Sequence, residues 1–264
     1  MTDKNNNKTA INEKSSGQNY RVNEILFRKP ACTYSEDTAG YVNIGGTERV
    51  AVIQSGCEHA RRAMLYCHGN GEDIYDCVKS AVMYGFLPSD VSFAAVAYPG
   101  YGLSEGVQSE AGCYQNAHRL YEWMRTDMGF APEDIIVVGY SLGTGVAIEL
   151  ASTCPVKAVM LLAPFVSGRR LLSYWDPALG DALSPEFGVF PSIDRVGKVT
   201  CPIAVIHGEK DDVVPFIQGE ELYAAVPVKA GFFAVPSAGH GNLFATLGSS
   251  RYKEIVQMLF MKPT

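Results

Sequence analysis

The sequence predicts an α/β domain: a mostly parallel, eight-stranded-type sheet with an antiparallel N-terminal edge, helices on both faces and a short lid. Two observations predict it. After about Gln54, apolar runs of strand length alternate with longer stretches of helical period, the rhythm of βαβ units around a buried parallel sheet. Before that point the runs are short and punctuated by turn residues such as Gly45-Gly46, as in antiparallel strands at a sheet edge.

Residues 1–20 are rich in Lys, Asn, Ser and Thr and nearly devoid of large apolar side chains, so burial cannot offset the entropy of ordering them. They are expected to form a flexible tail ahead of one folded domain, residues 21–264. Edge strands are expected at Glu24-Ile25-Leu26-Phe27, Tyr41-Val42-Asn43-Ile44 and Val50-Ala51-Val52-Ile53. The central strands follow at Ala63–Tyr66, Val91–Ala97, Ile135–Val138, Ala158–Leu162, Ile203–Ile206 and Phe232–Val235. Helical spacing marks Cys113–Met128, Val146–Thr153 and an amphipathic C-terminal stretch, Tyr252–Met261. From Pro164 to Pro202 the period fails amid Pro177, Pro185, Pro191 and several glycines, which suggests a lid inserted at about 164–201.

Composition narrows the function. With 47% hydrophobic and 19% charged residues the chain is that of an ordinary globular protein. Its net charge of −6 argues against nucleic acid, whose binding draws on Lys and Arg to displace counterions. Seven cysteines, odd in number and without paired metal-ligand spacing, read as reduced thiols in a cytoplasmic protein. No run approaches the roughly 18 to 20 apolar residues of a membrane span, and nothing near Met1 has a signal peptide's apolar core. The sequence carries no signal of oligomeric state.

The chemistry centres on Gly139-Tyr140-Ser141-Leu142-Gly143, a G-x-S-x-G string with a strand before it and a helix after it, the context of a nucleophile elbow. A serine at its normal pKa is a poor nucleophile, so an imidazole must take its proton and a carboxylate must orient that imidazole. Two histidines follow Ser141. His207 ends a strand, whereas His240, in the loop Ser237–Asn242, is free to lie over the nucleophile and is the preferred base. The acid is sought after the Ile203–Ile206 strand, where Asp211 and Asp212 are adjacent and Asp211 is preferred. An oxyanion hole requires backbone N–H donors, and Asn70 and Leu142 are placed to supply them. His68 is expected to order its loop. A cysteine nucleophile at Cys67 or Cys113 lacks both elbow and acid.

His68-Gly69-Asn70-Gly71, Tyr98-Pro99-Gly100-Tyr101-Gly102-Leu103-Ser104, the Ser141 elbow, His207-Gly208-Glu209-Lys210-Asp211 and Gly239-His240 together resemble the α/β-hydrolase superfamily in order and spacing. The likeness runs from about Ala63 to Phe260. It is nearest to the small-lid branch of depalmitoylase-like thioesterases, acylglycerol lipase-like and prolyl-oligopeptidase-like hydrolases, partly through Phe190-Pro191-Ser192-Ile193-Asp194-Arg195-Val196. The resemblance implies the α/β-hydrolase fold, places the acid on Asp211, and implies a serine hydrolase that cleaves a carboxylic ester or thioester of a small-molecule or acylated substrate, with no metal or organic cofactor. A peptidase or amidase of the same fold, or a non-catalytic ligand-binding module, are the alternatives. Ala97 departs from the acidic residue many relatives have before Tyr-Pro-Gly, and residues 1–20 lack the cysteine cluster of the membrane-bound depalmitoylases. Tyr174, Trp175, Phe187 and Phe190 in the lid are candidates for an apolar acyl pocket, or for anchoring the lid to the sheet.

Overall fold

The computed structural model describes residues 26–56, 59–178 and 189–261. The expected tail, Glu24 and Ile25 of the first expected strand, and Phe187 lie outside the described residues.

Eight strands form one sheet: β1 (Tyr41–Asn43), β2 (Ala51–Ser55), β3 (Arg62–Cys67), β4 (Val91–Val96), β5 (Ile135–Tyr140), β6 (Ala158–Leu162), β7 (Ile203–Gly208) and β8 (Lys229–Val235). Their order is β1-β2-β4-β3-β5-β6-β7-β8. The β1–β2 and β2–β4 pairs are antiparallel and the others parallel, as the change of rhythm near Gln54 predicts. Every residue of β4 to β7 is buried, which explains why these strands read as continuous apolar runs and not as alternation. Edge strand β8 starts three residues before its apolar run, at Lys229-Ala230-Gly231, where half-exposed positions demand no apolar side chain.

The first expected strand is corrected in its described half. Leu26 has helical backbone and Phe27 lies in irregular chain, although both are buried. A four-residue apolar run states that burial is wanted, not which backbone delivers it.

The helices are α1 (Ile74–Met83), α2 (Glu110–Thr126), α3 (Leu142–Thr153), α4 (Gly168–Trp175), α5 (Ser192–Val196), α6 (Phe216–Ala224), α7 (Leu243–Leu247) and α8 (Ser249–Met261). Apolar spacing finds α2, α3 and α8. It misses the others. Two of these are capped: Asp73 accepts the Tyr75 and Asp76 N–H groups to start α1, and Ser167 accepts that of Arg170 to start α4, whereas α5, α6 and α7 have no side-chain cap. Among the described residues no helix is long and apolar enough to cross a membrane.

Helices cover both faces of the sheet. At the end of β5, Gly139 meets Gly143 and Thr144 of α3, while the next residue, Tyr140, points the other way and its ring meets Phe244 of α7 edge-on, 5.4 Å between centroids. In the interval expected to be a lid, α4 and α5 are both anchored. Phe190 is 1% exposed and packs edge-on against Phe27, Tyr114 and Phe165, filling the space that Gly145 leaves in α3.

Candidate active site

The C-terminal edge of the parallel strands gathers the residues singled out in the sequence. Ser141 follows β5 at the turn into α3, with φ 51° and ψ −119°. That left-handed value is strained for a residue with a Cβ. It is accommodated because the flanking glycines allow close contact: a Cβ on Gly139 would stand 2.5 Å from the Gly143 carbonyl oxygen, and one on Gly143 would stand 1.9 Å from that of Cys67. Leu142 is the first residue of α3, so its N–H belongs to the helix-end donors that the helix cannot satisfy itself.

His240 comes from the loop between β8 and α7. Its Nε2 lies 3.0 Å from Ser141 Oγ and its Nδ1 lies 2.8 Å from Asp211 Oδ2. Because an ionised carboxylate only accepts, Nδ1 carries the proton and Nε2 presents its lone pair to the serine hydroxyl. Tyr140, unremarked in the sequence, steadies this loop: its hydroxyl donates to the His240 carbonyl oxygen at 3.0 Å and its ring stacks on the imidazole at 5.2 Å. The signal for Tyr140 is strand alternation, which sends its side chain to the face opposite α3.

Asp211 follows β7, and its side chain is inaccessible to solvent. Its Oδ1 accepts the N–H groups of Val213 at 2.9 Å and Val214 at 2.7 Å. Burial alone would raise its carboxyl. The donors facing it, His207, His240 and the Val214 N–H, outweigh burial and hold it well below the usual carboxylate range. His207 is fully buried behind it, with Nε2 2.9 Å from the Val214 carbonyl oxygen and 3.6 Å from Asp211 Oδ2. Asp212, one residue on, is exposed.

The loop after β3 carries Asn70. Its Oδ1 accepts the Arg28 N–H at 2.7 Å and the Tyr101 hydroxyl at 3.0 Å. Glu72, also missed in the sequence, accepts the Gly69 N–H at 2.6 Å and the Tyr66 hydroxyl at 3.1 Å. His68 is stacked on Tyr98 at 3.9 Å, its Nδ1–H donating to the Gly69 carbonyl at 2.8 Å and its Nε2 accepting the Tyr98 N–H at 3.4 Å. Both ring nitrogens are engaged as a neutral imidazole, and burial lowers its pKa to about 4 from 6.5. Cys67, fully buried in β3, has its thiol pushed up by burial, which removes it as a nucleophile.

His68 makes the fold acid-sensitive. Between pH 6.5 and about 4 the unfolded chain binds a proton at this position that the folded chain does not, so stability falls as pH falls through that window. A shift of this size corresponds to about 3 kcal/mol. Glu72, whose carboxyl burial raises, acts in the opposite sense, so the comparison must be between proteins. Urea unfolding at pH 7 and pH 4.5 should show a smaller pH-dependent loss in His68→Gln than in the unmodified protein; equal losses would refute the assignment.

Of the lid residues, Phe190 is buried in packing, whereas Tyr174 is 55% and Trp175 42% exposed, and the Trp175 indole N–H donates to the Val213 carbonyl at 2.9 Å. A cavity lies between α1 and the α7–α8 pair.

A doubly covered parallel sheet with an antiparallel edge, and a nucleophile-elbow turn at the end of its fifth strand, is the architecture of the α/β hydrolases. The chain belongs to that family: the alpha/beta hydrolase family matches residues 64–196. It is 34% identical over 185 residues to alpha/beta hydrolase domain-containing protein 17C of Mus musculus, a match that covers 70% of this chain and 56% of that protein. The chain thus spans just over half the length of the curated relatives it matches. Among solved structures, an alpha-beta hydrolase from Vibrio vulnificus is similar with a TM-score of 0.72 at 20% identity, covering 90% of this chain and 92% of that one. An esterase of Pyrococcus furiosus is similar with a TM-score of 0.65 at 14% identity, covering 89% and 98%. Both likenesses concern the fold.

Proposed function

We propose that the chain is a serine hydrolase that cleaves a carboxylic ester or thioester through an acyl-Ser141 intermediate. The observation that carries this reading is the continuous hydrogen-bonded series Ser141–His240–Asp211, with 3.0 Å and 2.8 Å links. As Ser141 Oγ attacks the acyl carbon, its proton passes to His240 Nε2, and the anionic Asp211 stabilises the imidazolium that forms. The oxyanion accepts the N–H groups of Asn70 and Leu142, the second also favoured by the positive end of α3. Collapse of the tetrahedral intermediate breaks the bond to the leaving oxygen or sulfur, which takes the proton from His240. Water then repeats the sequence: it gives a proton to His240 as its oxygen bonds to the acyl carbon, and on collapse the bond to Ser141 Oγ breaks and that oxygen takes the proton back from His240, releasing the acid. Every proton is carried by His240, so the chemistry calls on no metal or organic cofactor.

The reading extends to residues 164–201 as the lid and to a reducing, cytoplasmic setting, supported by the free thiols of Cys32, Cys67, Cys77, Cys113, Cys154 and Cys201. A fluorophosphonate probe tests it directly. One equivalent should attach, mapped by mass spectrometry to Ser141, with parallel loss of p-nitrophenyl ester turnover. Labelling elsewhere, or turnover that survives full labelling, would overturn it.

A further inference from the structure

Beneath the catalytic edge, between α1 and the α7–α8 pair, lies a cavity of about 730 Å³, within the range of small-molecule sites. Its walls are aromatic: Tyr66, Phe86, Phe93, Phe244 and Tyr252. Its lining includes Gly71 and Gly241, which directly follow Asn70 and His240, the two residues between which an acyl group on Ser141 must lie. Neither glycine is crowded: a Cβ on Gly241 would meet nothing within 4 Å, and one on Gly71 only the Arg28 carbonyl oxygen at 3.6 Å. The cavity thus adjoins both the oxyanion loop and the histidine loop at positions that carry no side chain.

We propose that this chamber, on the face of the sheet opposite α3 and away from the lid, receives the apolar arm of the substrate, and that it accepts uncharged chains and rejects anionic ones. The inference rests on the acyl-serine reading above. Selection against anions follows from the lining: Glu72, Asp73 and Asp76 stand at the α1 end, and no Lys, Arg or His lines the chamber among the described residues. A carboxylate entering it would be desolvated beside acidic groups with no cation to pair with. Burial raises the Glu72 carboxyl above its ordinary value, which fits an environment that disfavours negative charge. Asp73 is already engaged, accepting from Thr33 and from the first turn of α1. Of the lid aromatics, Phe190 is packed into the core and Tyr174 and Trp175 are exposed.

Ser80 is exposed, lines the chamber from α1 and takes no part in the catalytic series, so Ser80→Trp should fold and take up part of the chamber's volume. With p-nitrophenyl esters from two to twelve carbons, kcat/KM of the unmodified protein should rise by roughly fourfold per added methylene until the chamber is full, the transfer gain of a buried CH2. Ser80→Trp should leave the two-carbon ester within about twofold and lower the longest esters at least about tenfold, while Tyr174→Ala leaves the profile unchanged. Titration of Ser141→Ala protein with 1-decanol, read by calorimetry, reports the chamber without turnover. Decanol should bind at least about tenfold more tightly than decanoate, and Ser80→Trp added to that background should weaken decanol by a similar factor. Parallel chain-length profiles with unchanged decanol affinity would overturn the inference while leaving the acyl-serine reading standing. Decanol binding as expected, with no ester turnover at all, would retire that reading and with it the chamber's role as an acyl site.

Discussion

Ser141→Ala is expected to lower kcat by about 10⁴- to 10⁶-fold, because it removes the hydroxyl oxygen proposed to form the acyl bond. The loss should stop short of complete, since the Asn70 and Leu142 N–H groups still polarise a bound carbonyl and leave a residual rate above that in water. The fold should tolerate the change. Alanine has a Cβ like serine and meets the same backbone strain at φ 51°, and the backbone bond from Ser141 N–H to the Leu162 carbonyl at 2.9 Å does not involve the side chain. Thermal unfolding of the two proteins should therefore agree within a few degrees while steady-state ester kinetics differ by orders of magnitude. Retention of more than about a tenth of the rate would mean that another group is the nucleophile.

How much of this was legible in the sequence depends on where each signal resides. The parallel centre of the sheet is written into composition: β5, β6 and β7 are buried on both faces, so every position wants an apolar residue and the run stands out from its surroundings. The elbow is equally visible, because its turn geometry restricts Gly139 and Gly143 and leaves a fixed string. Helices α4 and α5 are not visible in this way. They are short, have Ser167 and Pro191 at their N-cap positions, and are held by tertiary burial of Leu171, Leu172 and Val196, which periodicity over a few residues cannot register.

The same distinction divides the candidate site. Ser141, His240 and Asp211 are found from chain order and from the chemistry each must perform. Tyr140 and Glu72 act through a strand's facing direction and through a loop contact, so they surface only once the chain is folded. The acyl pocket was sought among Tyr174, Trp175, Phe187 and Phe190 because aromatic residues clustered there in sequence. The proposed chamber draws Tyr66 and Phe93 from the sheet, Phe86 from the loop after α1 and Tyr252 from α8, aromatics that are far apart along the chain and adjacent only across the fold, so no clustering in the sequence announces them.

Asp211→Asn separates the acid from its neighbour, and its expected cost is about 10⁴-fold in kcat. Asparagine is nearly isosteric, and its amide oxygen can keep either the backbone donors or the imidazole, but not both. If the oxygen stays on the Val213 and Val214 N–H groups, the amide NH₂ faces His240 and donates to Nδ1. That forces the proton onto Nε2, the nitrogen that must accept from Ser141 Oγ. If the amide flips, the Val213 and Val214 N–H groups lose their acceptor, and the second, which is buried, costs about 1 to 3 kcal/mol. Either arrangement also leaves the imidazolium without its counter-charge. Asp212→Asn should change kcat less than about threefold, since an exposed carboxylate outside the hydrogen-bonded series is screened by water. Measured side by side as kcat/KM against pH, the Asp211 variant should fall across the whole neutral range and the Asp212 variant should track the unmodified protein. Equal losses in the two would place the imidazole's partner elsewhere, and His207, 3.6 Å from Asp211 Oδ2 and fully buried, would then have to be orienting something other than the catalytic acid.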